Sequence, residues 1–139
     1  MAWHSTSTHP ASLAVRLFLE LGALGADAWA GWHLASGGWR YPLVVFLPLL
    51  AATLWGVLNV PGDPSRNGEA PIPVPGPVRL AVEWTVFGSA VALLAAAGAT
   101  VAAGCFAVLL VGYHLTAYDR VRWLLGRAPI PAAVRSGGR

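Results

Sequence analysis

The sequence predicts an all-α integral membrane protein of four transmembrane helices, arranged as two pseudo-repeated helical hairpins with a proline-rich cytoplasmic loop between them. Three observations predict it. Only 11% of the residues are charged and 56% are hydrophobic, with a mean hydropathy of +0.60, whereas soluble domains are about one quarter charged. The apolar residues gather into four runs of membrane-spanning length. The pattern Arg-Leu-x-x-Glu occurs twice, as Arg16-Leu17-Phe18-Leu19-Glu20 and as Arg79-Leu80-Ala81-Val82-Glu83. At 139 residues the chain is one domain.

The first span is expected over residues 13–34. At about 1.5 Å per residue it reaches across the roughly 30 Å hydrocarbon core. It is polar for a span, carrying Arg16, Glu20, Asp27 and His33; the first three share one helical face. Trp29, Trp32, Trp39 and Tyr41 cluster around its far end, as in an interfacial aromatic belt. The second span, 42–58, is interrupted by Pro48, which removes a backbone hydrogen bond and bends the helix. Trp55 and Asn59 mark its inner end. Residues 59–77 hold six prolines and three glycines, too many for a regular helix. This loop is stiff, and either links the hairpins or folds back to cap them. The third span, 78–97, carries Glu83, Trp84, Thr85 and Ser89. After a very short turn, 98–100, the fourth span runs over 101–121 with His114, Thr116 and Tyr118 towards its inner end. A basic tail, 122–139, follows.

All nine basic residues are arginine. Eight lie on the side of the N-terminus and only Arg40 on the other, so both termini are expected in the cytoplasm. The lipid bilayer is the first expected partner. Nucleic acid is not, because no basic stripe alternates with exposed aromatics. Residues 1–12 lack the basic start of a cleaved signal peptide, and read as a polar tail containing His4 and His9. The single cysteine, Cys105, reads as a small buried filler. No metal or cofactor is expected; His33 and His114 sit near opposite membrane faces, which is unsuitable for two axial ligands of one haem.

A gapless shift of 63 aligns Val15, Arg16, Leu17, Glu20 and Gly25 with Val78, Arg79, Leu80, Glu83 and Gly88, and more weakly Thr53 and Trp55 with Thr116 and Tyr118. Two parallel hairpins about an axis along the membrane normal would bring Glu20 and Glu83 to equal depth near that axis. The plainer interpretation makes Arg16–Glu20 and Arg79–Glu83, or the crossed pairs, structural ion pairs. The sharper one makes the glutamates a paired-carboxylate site for proton transfer or general-acid chemistry. Asp27 has no basic residue within a helical turn, and its counterpart at the shift of 63 is Ala90.

The stretches Arg16…Glu20-Leu21-Gly22, Pro48-Leu49…Trp55-Gly56, Pro61-Gly62-Asp63-Pro64-Ser65-Arg66, Val74-Pro75-Gly76-Pro77-Val78-Arg79-Leu80…Glu83 and His114…Tyr118-Asp119-Arg120-Val121…Trp123-Leu124-Leu125 resemble the YrdB-like family of small bacterial four-helix membrane proteins. The resemblance covers nearly the whole chain and implies a compact helical membrane protein. It implies a multi-pass protein of the bacterial inner membrane and no chemistry.

Three function classes follow. One is a non-enzymatic membrane protein binding a lipophilic small molecule or a membrane partner, or forming a homo-oligomer through small residues such as Gly22, Ala26, Gly88 and Ala92. Another is an acid-catalysed isomerase or terpene cyclase acting on a prenyl-type substrate. There Asp27, Glu20 or Glu83 would protonate the substrate, and Trp29, Trp55, Trp84 and Phe87 would stabilise a cation. The third is a proton-coupled transporter or channel. Arg16, Arg79, His114 and Tyr118 complete the candidate binding residues. An enzyme needs an enclosed apolar cavity that reaches an unpaired acid; a structural protein needs neither.

Overall fold

The computed structural model describes residues 9–63 and 69–126. His4, Arg66, Arg127, Arg135 and Arg139 lie outside the described residues. Helix α1 is Pro10–Leu34, so residues 10–12 belong to the helix rather than to a polar tail. Pro10 opens it, where the missing N–H is not needed, and His9 Nδ1 accepts a hydrogen bond from the Ala11 N–H at 3.2 Å. A 3₁₀ turn, Gly37–Trp39, leads into α2, Arg40–Val57, with Pro48 inside it. Arg40 Nε donates to the Ala35 carbonyl at 3.1 Å, satisfying an acceptor at the end of α1.

The chain then forms β1, Leu58–Asn59, which pairs in parallel with β2, Ile72–Pro73; the Val74 N–H extends the pairing to the Asn59 carbonyl. The described part of 59–77 thus doubles back beside the end of α2. Helix α3 is Gly76–Ala96, and α4 is Thr100–Thr116. The expected single helix over 101–121 stops at Thr116. Ala117 leaves the helical region, and the chain turns by 74° into α5, Tyr118–Leu124. Thr116 Oγ1 donates to the Tyr113 carbonyl, at the end of α4. The turn lays α5 across the start of α3. A Cβ on Gly76 would overlap the Leu124 carbonyl, so only glycine fits there.

Helix α1 packs against α2, α3 and α4, and α3 against α4 and α5. The core is Leu19, Ala23 and Ala26 of α1, Trp55 of α2, Phe87, Ala90 and Leu94 of α3, and Ala103, Phe106, Leu110 and Tyr113 of α4. Small residues permit this closeness: a Cβ on Gly31 would lie 2.8 Å from the Leu43 carbonyl carbon. Helices α1 and α3 bury the same register at the shift of 63: Arg16, Ala23, Asp27 and Gly31 in one, Arg79, Val86, Ala90 and Leu94 in the other. The correspondence weakens in the second helices, for Trp55 is buried and Tyr118 is 60% exposed.

Outward-facing residues are mostly large and apolar, including Leu17, Phe18, Val45, Phe46, Val101, Val108 and Leu115. In water such a surface would be an extended sticky patch. Gly37–Val57 and Gly76–Ala96 are long and apolar enough to cross a membrane, and α4 with α5 makes a third candidate if the bent pair is one span. The protein is therefore helical and has the character of a membrane protein. Cys105 corrects an expectation: it is exposed on the outer surface of α4 rather than buried.

Candidate functional site

The two Arg–Glu pairs form with the same atoms. Arg16 Nε meets Glu20 Oε1 at 3.1 Å, and Arg79 Nε meets Glu83 Oε1 at 3.2 Å, each across one turn of its own helix. Both guanidinium groups also lie over the Trp55 ring, 5.0 Å from its centroid for Arg16 and 4.0 Å for Arg79. Trp55, read from the sequence as a marker of the inner end, is thus the aromatic platform for both arginines.

Beyond this the pairs diverge. Arg79 Nη1 donates to the Trp55 carbonyl at 2.8 Å and to the Leu58 carbonyl. These are carbonyls at the end of α2, where a helix has no intrahelical donors left. Glu83 is held by two arginines, with a histidine close by. Arg120 binds it as a fork, Nη1 to Oε2 at 3.0 Å and Nη2 to Oε1 at 2.7 Å, and His114 Nε2 lies 3.6 Å from Oε2. The other nitrogen of His114, Nδ1, bonds the Leu110 carbonyl at 2.9 Å. Arg120 Nη2 continues to Asp63 Oδ2 at 2.8 Å. Asp63 is fully buried, and Asn59, four residues earlier, is anchored by Nδ2 to the Gly56 carbonyl at 2.7 Å. One continuous network therefore fastens α2, the start of the proline-rich loop, α3, α4 and α5. Arg16 adds α1 through Trp55.

Sequence reasoning identified Arg16, Glu20, Arg79, Glu83, Trp55 and His114 as candidates and missed Asp63, Asn59 and Arg120. The structure separates the two glutamates by partner: Glu83 binds Arg79 and Arg120, with His114 Nε2 nearby at 3.6 Å, Glu20 binds Arg16, and no bond joins the two acids among the described residues. Asp27 is 2% exposed, and its Oδ1 has no hydrogen-bond partner among the described residues. The remaining candidates lie at the margins. Trp84 is tilted over His114 at 4.6 Å, Trp29 stacks on His33 at 3.8 Å near the other end, and exposed Tyr118 carries Arg122 at 5.7 Å. Among the described residues no group of three or more His, Cys, Asp or Glu side chains is placed to hold a metal ion.

Next to the network lies a cavity of about 130 Å³ between α1, α2 and α3. Its walls are Leu21, Ala23, Leu24, Ala51, Ala52, Trp55, Val86 and Phe87, and Glu20 is the one ionisable residue lining it. Asp27 does not line it.

The family described as protein of unknown function DUF2568 matches residues 14–111. The chain belongs to this family. It is similar to the uncharacterized protein YrdB of Bacillus subtilis (strain 168), 33% identical over 116 residues that cover 84% of this chain and 94% of that protein. The expected YrdB-like resemblance is thus a family relationship. No solved structure matches.

Proposed function

We propose that this is a four-span membrane protein, with both termini in the cytoplasm, that holds the apolar part of a lipophilic molecule and does no chemistry on it. The cavity carries the reading. An apolar cavity of about 150 Å³ accepts benzene, so the space here suits a single isoprene-sized unit or the few carbons of a longer chain nearest its head. The network supports the same view, because the partners of Glu83 are those of a scaffold. Three arginines, Arg16, Arg79 and Arg120, balance three acids, Glu20, Glu83 and Asp63.

Four spans require α1 to cross as well. It is 25 residues long, and its charged side chains turn inward while Leu17, Phe18 and Leu21 turn out; buried charges of this kind are tolerated when they face the bundle. The matched burial of α1 and α3 supports the paired-hairpin arrangement, and the eight-to-one arginine asymmetry supports the orientation.

The test is photolabelling in nanodiscs with an alkyl probe bearing a diazirine on the carbons nearest its head. Labels should concentrate on Ala51, Ala52 and Leu24, and Ala51→Phe should remove them. Even labelling of outward residues such as Phe46, Val108 and Leu115 would refute the cavity as a binding site. Cysteines placed at Ser36 and at Gly126 should react with impermeant reagents from opposite sides of the membrane.

Asp27 motivates a second reading, acid catalysis on a prenyl epoxide, since it is buried without a hydrogen-bond partner for Oδ1 among the described residues. Cavity size and position oppose it: the space is benzene-sized and reaches Glu20, not Asp27. Product formation that disappears in Asp27→Asn would establish this reading over the first.

A further inference from the structure

We infer that the cavity between α1, α2 and α3 selects amphiphiles whose head group donates a hydrogen bond, an alcohol or an amine, and that Glu20 is the receptor for that head. The inference rests on the cavity reading above and adds the chemistry of the head.

It follows from an asymmetry within one ion pair. Glu20 lines the cavity and Arg16 does not. The Arg16 side chain is 6% exposed and turned over Trp55, whereas that of Glu20 is 24% exposed. Of the two carboxylate oxygens, Oε1 takes the Arg16 Nε–H, and Oε2 has no partner among the described residues. A ligand entering the cavity therefore meets an acceptor, while the compensating positive charge is packed behind it. An ionised carboxylate only accepts hydrogen bonds. A hydroxyl or ammonium head completes Oε2. A carboxylate or phosphate head would bring lone pairs against lone pairs, and a methyl ether would leave Oε2 unmatched.

The wall composition sets the direction of the ligand. Leu24 lies one helical turn beyond Glu20, about 6 Å further from the arginine layer, and Val86 and Phe87 close the same region from α3. The head thus sits at Glu20, at the network, and the apolar part points away from it towards the middle of α1.

The experiment uses the full-length protein in nanodiscs and displacement of the diazirine alkyl probe by four compounds sharing one tail: dodecanol, dodecylamine, dodecanoic acid and dodecyl methyl ether. A hydrogen bond to a charged group corresponds to about tenfold or more in affinity. The alcohol and the amine should displace the probe about tenfold better than the ether does, with the acid weakest. Whichever of alcohol and amine is stronger identifies the class of head. In Glu20→Gln, which keeps a carbonyl acceptor but no charge, the amine should lose about tenfold while the alcohol loses less. Equal displacement by all four compounds would overturn the head selection and leave the cavity reading standing. Failure of all four to displace the probe would refute the cavity reading itself. Preference for the acid, or an amine affinity unchanged in Glu20→Gln, would remove Glu20 as the receptor. The comparison of heads on the unaltered protein keeps the test decisive even if the variant does not fold.

Discussion

Arg16–Glu20 and Arg79–Glu83 have the same residues, spacing and bonding atoms, yet they do different work. The Arg79–Glu83 pair is sealed, with both side chains at most 1% exposed and with Arg120, His114 and the carbonyls of α2 around it. The Arg16–Glu20 pair is more open, with the Glu20 side chain 24% exposed and lining a cavity. A repeated motif thus gives one copy that fastens the bundle and one whose glutamate borders a cavity. The i, i+4 spacing fixes the pair in each helix; what surrounds the pair decides its role.

The largest effect should come from breaking the sealed copy. Removing one partner of a buried ion pair costs about 3–5 kcal/mol, so Glu83→Gln and Arg120→Gln should each lower thermal stability in detergent by roughly that amount. The double variant should fall well short of the sum, because the two residues belong to one network. Additive losses would show that they act separately. A smaller effect of opposite sign is expected where the copies differ most in sequence, at Asp27 against Ala90. A buried polar group without a partner costs about 1–3 kcal/mol, and Asp27→Ala should raise stability by about 1 kcal/mol after the loss of packing. Destabilisation instead would mean that Asp27 is engaged in the native bundle. The smallest effect belongs to the open copy. Arg16 keeps Trp55 as a second partner and Glu20 is partly exposed, so Glu20→Gln should lower the unfolding midpoint less than Glu83→Gln does while changing ligand preference. If it destabilises as much as Glu83→Gln, the contrast between the copies is wrong.

Much of this was legible in the sequence because it is local. Spacing alone placed Arg16 with Glu20 and Arg79 with Glu83, and apolar runs located the helices to within a few residues. The partners of Glu83 were not legible for the opposite reason. Arg120 is 37 residues beyond it and Asp63 is 57 residues before Arg120, and no periodicity relates such positions. Asp63 lay among turn residues, where an aspartate ordinarily serves its own backbone, and Arg120 stood among arginines explained by membrane orientation. The bend at Ala117 had no glycine or proline to announce it. What favours it is tertiary: the turn lets Arg120 reach two acids and lets Leu124 seat on Gly76. Cys105 was misassigned because in a membrane protein the apolar surroundings of a small residue do not distinguish core from lipid.

The bend at Ala117 also orders events in time. Arg120 is the last member of the network to be synthesised, after both acids it binds. A nascent chain that has completed α1 to α4 already holds Glu20, Asp63 and Glu83 but only two of the three matching arginines. Charge balance, and with it the join between the loop and the bundle, arrives only when α5 folds back across α3. In order of synthesis, the network is thus completed by the shortest α-helix.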